Sequence, residues 1–199
     1  MRIAVLAVQG AFIEHEYMLE KLGASCIELR QKRDLEQDFQ GIILPGGEST
    51  VQGKLLRELD MFDTLNDYIS KDMPVFGTCA GLILLARKLA NDSNTYFASL
   101  PVVVERNAYG RQLGSFSYMG KLNGVGNEDK DFPLEFIRAP YIQSIGDGVE
   151  ILTEIDRKPK DKTGRNIVGV TYKNQIGVAF HPELTDDTRC HEMFLNLCK

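Results

Sequence analysis

An open, mostly parallel β-sheet with helices on both faces is the architecture this sequence predicts, a three-layer α/β fold with antiparallel strands added in its second half. Three observations lead there. Over the first ninety or so residues, short apolar runs alternate with amphipathic helical ones, the order that builds parallel βαβ units. Beyond residue 100, strand-like runs follow one another through shorter connections, which suits antiparallel pairing. Finally, Pro45-Gly46-Gly47, Cys79 and His181 all fall at apparent strand ends, and in open α/β sheets ligands gather outside the carboxyl ends of the strands.

Taken in order, residues 2–8 read as the first strand, 12–22 as an amphipathic helix and 25–30 as the second strand. Gly41-Ile42-Ile43-Leu44 is a short buried strand, followed by helical patterns over 50–59 and 62–70. Residues 74–77 make the fourth strand and 80–90 the helix behind it. Further strands are expected at 100–105, 113–122, 133–138, 149–155, 166–173 and 175–181, with a helical pattern at the C-terminus. Two polar stretches, 123–131 and 157–165, read as solvated loop tips, the second locally basic. With no internal repeat, low-complexity tract or linker, residues 1–199 are expected to form a single domain.

Composition narrows the function. A chain of 199 residues is long enough for a sizeable core. A net charge of −5 offers no general footprint for nucleic acid. No apolar run is long enough to span a membrane, and the N-terminus is too short for a signal peptide before it runs into strand. The four cysteines, Cys26, Cys79, Cys190 and Cys198, form no C-x-x-C pair and no zinc spacing. They suggest no metal site, and a reducing cytoplasm is the natural compartment.

The segment Pro74-Val75-Phe76-Gly77-Thr78-Cys79-Ala80-Gly81-Leu82 has the G-x-C-x-G form of a nucleophile elbow, a strand-to-helix turn whose flanking residues must be small. It would hold the Cys79 sulfur clear of the strand at a helix N-terminus, where partial positive charge favours thiolate. The N–H of Ala80 would point into the same space as an oxyanion donor. A buried cysteine in a tight turn is the plainer reading. Far downstream, Phe180-His181-Pro182-Glu183 ends a strand-like run. Pro182 biases His181 towards an extended conformation, so His181 and Glu183 are expected on one side of the chain, the base and its orienting carboxylate. Pro45-Gly46-Gly47-Glu48-Ser49-Thr50 is a third strand–loop–helix junction. There Gly47 is a candidate second oxyanion donor, and Ser49 or Thr50 a candidate helix cap.

With the elbow and His181-Pro182-Glu183 in place, the chain resembles the class I, or triad, glutamine amidotransferases. Leu6 to His15, Leu44 to Thr50, Val104 to Gln112, Phe136 to Pro140 and Phe180 to Thr185 narrow the resemblance to the glutaminase subunits of pyridoxal 5′-phosphate synthases. The resemblance implies a flavodoxin-like sheet, hydrolysis of L-glutamine through Cys79, His181 and Glu183, and no cofactor. It also implies a glutamine site lined by Gly47, Glu48, Ser49, Arg106, Ile137 and Arg138. Ammonia would pass to a separate barrel-shaped synthase subunit in a hetero-oligomeric complex. Gln9 and Gly10 would help to organise the oxyanion hole on docking, and the first helix around His15 would belong to the docking face, a solvated helix with an incidental histidine being the alternative. A glutaminase serving another synthase, such as the imidazole glycerol phosphate enzyme, a cysteine peptidase of related fold, and a non-catalytic interaction subunit that keeps only the fold are the competing readings, the last opposed by the intact Cys79, His181 and Glu183.

Overall fold

Long apolar runs without alternation mark strands that are covered on both faces, and the centre of this molecule is built from them. In the computed structural model, residues 1–109, 115–125, 130–159, 162–164 and 166–199 are described. Strands β1 (Arg2–Leu6), β3 (Gly41–Leu44), β4 (Val75–Thr78) and β12 (Gln175–Val178) are buried almost throughout. They lie in a seven-stranded sheet with β2 (Ser25–Leu29), β10 (Glu150–Ile155) and β11 (Asn166–Tyr172), in the order β10-β11-β12-β4-β3-β1-β2. From β2 to β12 every neighbouring pair is parallel; β11 and β10 then add on antiparallel. A second sheet joins β5 (Ala86–Leu89), β6 (Leu100–Glu105) and β9 (Tyr141–Ile145), and β7 (Ser115–Gly120) pairs antiparallel with β8 (Phe132–Ile137).

Successive residues of β4 show how the layers stack, because side chains alternate across a strand. Phe76 meets His15 of α1 (Phe12–Lys21) edge-on, and His191 and Phe194 of α5 (Arg189–Leu197), so these two helices share one face. Gly77 faces the other way, against Gly81 and Leu85 of α4 (Ala80–Leu85). On that side lie α2 (Ser49–Glu58), which packs on α4, and α3 (Phe62–Ser70), whose Phe62 stacks on Phe97 at 5.0 Å. The layers are helix, sheet, helix.

Several expectations need correction. The helix predicted over 80–90 stops at Leu85, where Ala86 turns to an extended conformation (ψ 133°) and begins β5. Parallel pairing of Ala86 with Leu100 outweighs the local helical pattern. Strand β9 was not predicted; its sequence Tyr-Ile-Gln-Ser-Ile alternates poorly, and antiparallel pairing with β6 makes it a strand. A short 3-10 turn at Lys32–Glu36, closed by reciprocal Gln31 and Asp34 side-chain bonds, had no clear periodicity. The first strand ends at Leu6 rather than residue 8, and the last at Val178 rather than 181. Residues 110–114, within the Val104–Gln112 motif and the start of the strand expected at 113–122, lie outside the described residues, as do 126–129, 160, 161 and 165 of the two loop tips. No helix among the described residues is long and apolar enough to cross a membrane.

Candidate active site

Pairing of β4 with β12 is what brings distant sequence together. Thr78 lies opposite Val178 in the parallel register, and the Cys79 N–H donates to the Val178 carbonyl at 2.8 Å. Immediately beyond, the chain turns sharply into α4, with Cys79 at φ 48° and ψ −96°, a conformation that L-residues rarely adopt. Close packing demands glycine behind it, since a Cβ on Gly81 would stand 1.9 Å from the Leu44 carbonyl oxygen. Ala80 is the buried first residue of α4, where a helical N–H has no acceptor within its own helix. The Cys79 thiol lies 3.9 Å from the Ile137 carbonyl oxygen, a long S–H···O contact.

His181 is fixed from three sides. Its N–H donates to the Glu135 carbonyl of β8 at 2.8 Å, its ring lies against the backbone of Gly46, and its Nδ1 is 2.7 Å from Glu183 Oε1. The expected extended segment is instead a 3-10 turn over Pro182–Leu184, which still folds Glu183 back onto the ring. Nε2 is buried without a hydrogen-bond partner. Burial alone would lower the pKa of this imidazole, but the neighbouring Cys79 sulfur and the Glu183 carboxylate outweigh it and raise the pKa to about 10. The elbow cysteine, a ring that holds a proton strongly and a carboxylate bonded to that ring thus occupy one place.

The third junction packs against the same ring. The Gly46 N–H donates to Thr78 Oγ1 at 3.0 Å, and the Gly46 carbonyl accepts from Ala11 N–H at 3.0 Å. Gln9 Oε1 accepts from the Glu48 N–H at 2.8 Å. Gln52, fully buried and not singled out in the sequence, ties both loops together, its Nε2 donating to the carbonyls of Gln9 (2.9 Å) and Pro45 (3.1 Å). The cap of α2 is Glu48 rather than Ser49 or Thr50: its carboxylate accepts from the Thr50 N–H and hydroxyl at 3.3 and 3.0 Å.

These elements enclose a cleft of about 360 Å³ whose wall includes Gln9, Gly47, Glu48, Ser49, Cys79, Arg106, Ile137, Arg138 and His181. All six residues expected to line a glutamine site are thus in one place. Arg106 is already engaged: Nη1 donates to Asp92 at 2.9 Å, and Nη2 to Glu48 at 3.1 Å and to the Thr50 hydroxyl at 2.9 Å. Asp92 escaped the sequence reading; an acidic residue in a polar Asn-Asp-Ser-Asn turn looks like any exposed loop. Arg138 has φ 45° and Asn107 φ 53°, so backbone strain recurs around the cleft.

His15 itself is not a surface residue, whether docking or solvated: it is wholly buried, with Nδ1 2.9 Å from His191 Nε2 and Nε2 3.1 Å from Thr78 Oγ1. Burial, and then the neighbouring His191 and His181, hold its pKa well below the ordinary value, and burial takes that of His191 down to about 3. The remaining cysteines are separate from this chemistry. Burial raises the thiol pKa of Cys26 and Cys198 to about 12 each, with Glu16 and Glu20 adding to the effect at Cys26, and pushes Cys190 up as well. Among the described residues, no group of three or more His, Cys, Asp or Glu side chains is placed to hold a metal ion.

A cysteine on a strained strand-to-helix turn, served by a histidine–glutamate pair from the end of the adjacent strand, places the molecule among α/β proteins built for nucleophilic cysteine chemistry. The chain belongs to the SNO glutamine amidotransferase family, which it matches over residues 5–199. It is 60% identical over 196 residues to a protein of Desulfitobacterium hafniense (strain Y51) named pyridoxal 5′-phosphate synthase subunit PdxT, an alignment covering 98% of this chain and 92% of the relative. A protein of the same name from Bifidobacterium longum (strain NCC 2705) is 50% identical over 195 residues, 97% of this chain and 98% of the relative. A crystal structure of a glutamine amidotransferase, 38% identical, superposes with a TM-score of 0.86 over 98% of each chain.

Proposed function

We propose that this chain is the glutaminase subunit of a pyridoxal 5′-phosphate synthase, a single-domain cytoplasmic enzyme that hydrolyses L-glutamine and delivers ammonia to a separate, barrel-shaped synthase subunit. The contact of His181 Nδ1 with Glu183 at 2.7 Å, with Nε2 left free beside Cys79, carries the reading. His181 already holds the thiol proton, as its raised pKa requires, when the Cys79 sulfur attacks the side-chain amide carbon of glutamine. The carbonyl π electrons move onto oxygen, and the N–H groups of Ala80 and Gly47 stabilise the resulting oxyanion. Collapse of this intermediate breaks the C–N bond as His181 returns the proton to the departing ammonia, leaving a γ-glutamyl thioester. Water, deprotonated by the same imidazole, then adds to the thioester; glutamate leaves and the thiol is regenerated. Glu183 keeps Nδ1–H directed at itself throughout, so that Nε2 always faces the reacting atoms.

Glutamine arrives as a zwitterion, which gives the charged wall its purpose. Arg106 suits the α-carboxylate and Glu48 the ammonium. The Arg106–Glu48 pair at 3.1 Å would open as the substrate's two charges replace it, with Asp92 retaining the guanidinium. Gly47, Ser49, Ile137 and Arg138 complete the site.

Relatives named as PdxT at 60% and 50% identity favour this synthase over the imidazole glycerol phosphate enzyme and over a peptidase. Glutamate release should be measured at saturating glutamine with and without the synthase subunit. A rise of about 10²–10³-fold on assembly is expected if docking completes one oxyanion donor. Failure of the two chains to associate would overturn the assignment to this synthase, and turnover of peptides in place of glutamine would support the peptidase.

A further inference from the structure

All three histidines of the chain lie in one connected cluster, and the proposed chemistry uses only His181. Glu183 is the link. Its side chain is fully buried. Oε1 is engaged by His181, whereas Oε2 has no hydrogen-bond partner, and the polar atom aimed at it is His15 Nε2 at 3.5 Å. An anionic oxygen in such a place is costly unless a donor dipole points at it.

The donor direction follows from the neighbours. Two tautomer arrangements satisfy the 2.9 Å contact between His15 Nδ1 and His191 Nε2. In one, His15 carries its hydrogen on Nδ1 and donates to His191. His191 must then hold its own hydrogen on Nδ1, which is buried without a partner, while the His15 Nε2 lone pair accepts from the Thr78 hydroxyl and offers the carboxylate no donor. In the other, His191 Nε2–H donates to His15 Nδ1, and the hydrogen of His15 sits on Nε2. It then points into the gap between Thr78 Oγ1 (3.1 Å) and Glu183 Oε2 (3.5 Å), and the orphaned atom on His191 is a lone pair. An unsatisfied acceptor is better tolerated than an unsatisfied buried N–H.

We propose that His15, fixed by His191 as its Nε2–H tautomer, is a positioning residue that directs this N–H at the buried Oε2 of Glu183 and so keeps the carboxylate aimed at His181. The proposal rests on the reading of Glu183 as the group that orients His181. His15 itself does not line the cleft. The titratable groups facing it are His191 from α5 and His181 and Glu183 from the turn after β12; burial, and then His191 and His181, hold its pKa well below the ordinary value. If the donor were lost, nothing on that side would hold Oε2, and the carboxylate could turn away from His181 Nδ1. The imidazole would then lose the partner that stabilises its charged form and keeps Nε2 facing the sulfur.

The test compares His15→Leu, which removes the donor, with His15→Gln, which restores an amide N–H at the reach of Nε2, in the chain assembled with the synthase subunit. His15→Leu is expected to lower kcat for glutamine hydrolysis by about 10- to 100-fold, the equivalent of one hydrogen bond to a charged group, with KM changed less than about twofold. The pH profile of Cys79 alkylation by iodoacetamide should move up by about one pH unit, and His15→Gln should recover most of kcat. With only three histidines, long-range ¹H–¹⁵N spectra of the wild-type chain report each tautomer even if a variant fails to fold, and His15 is expected neutral with its hydrogen on Nε2 at pH 7. Wild-type kcat in His15→Leu would overturn the proposal. So would equal losses in both variants with an unmoved alkylation profile, or a His15 found protonated on Nδ1. Glutamine hydrolysis that persists in Cys79→Ala would instead refute the underlying reading of the site, and the spectra separate the two failures.

Discussion

Replacing Gly46 by alanine adds a single methyl group at the point where the Gly46–Gly47 loop touches the base. A Cβ at residue 46 would stand 2.3 Å from His181 Cε1 and 2.8 Å from Nδ1, whereas ordinary contact begins at 3.4 Å. The imidazole must therefore retreat by about 1.1 Å, or the loop must lift by as much. The ring cannot swing freely, because its backbone is bonded to Glu135 and its Nδ1 to Glu183. Loop movement is resisted by the Gly46 N–H bond to Thr78 and by the Gln52 clamp. Overpacking of this kind costs about 1–3 kcal/mol of stability, so the variant still folds with a lowered Tm. Its activity should suffer far more, since a displacement of about 1 Å in a reacting group costs on the order of 10²-fold. Steady-state glutaminase assay of the assembled enzyme should show that loss in kcat. A Gly46→Ala enzyme with wild-type kcat would mean that His181 is not the base, or that its placement is not set by this contact.

Other consequences are equally accessible. Cys79→Ala should abolish glutamine hydrolysis in a folded protein, while Cys26→Ala, Cys190→Ala and Cys198→Ala remain active; labelling of Cys190 by a glutamine-like electrophile would contradict the elbow assignment. His181→Ala should lose at least about 10²–10⁴-fold, the usual worth of general acid–base catalysis, and Glu183→Gln less, because an amide oxygen still accepts from Nδ1. Glutaminase rates of the two variants decide this, and full activity in His181→Ala would end the triad reading. Acid should destabilise the fold. His191 is held neutral with a folded pKa of about 3 against 6.5 unfolded, so only the unfolded chain takes up a proton between those values, and stability falls as pH drops below 6.5. The loss from this group is about 2 kcal/mol at pH 5. His181 acts oppositely: its raised pKa stabilises the fold fully below 6.5, and that contribution fades as pH rises through about 10. Thermal melts at pH 7 and pH 5 should show a Tm decrease that shrinks in His191→Leu, and an unchanged decrease would refute the assignment.

Much of the site could be read from sequence because its parts are local. The elbow at Cys79 needs small residues on both sides of one turn, and Gly77 and Gly81 announce it. The His181-Pro182-Glu183 run carries base and carboxylate within three residues, so they meet whether the segment is extended, as expected, or a 3-10 turn, as found. The parallel core was legible for a similar reason, since β3, β4 and β12 are short apolar runs whose burial on both faces leaves a plain mark. Strand β5 and strand β9 were not, because pairing with β6 makes them strands and nothing within their own residues demands it.

Sequence by itself determined the α/β class and singled out the elbow at Cys79 and the His181-Pro182-Glu183 run, which rest on periodicity, on glycine at a turn and on spacing within one short segment, while the resemblance to a family pointed to the residues of the cleft wall. Tertiary structure alone decided what those residues touch. It set Thr78 opposite Val178 and so carried His181 to Cys79 across about a hundred residues of chain. It tied Arg106 to Asp92 and Glu48, and turned His15 from a helix surface into a buried neighbour of Glu183. A helix with three polar residues in its first turns reads as solvated from its own pattern. Whether one of them is buried depends on which other helix crosses it and which strand end lies beneath, and that information is held by α5 and β4, far along the chain.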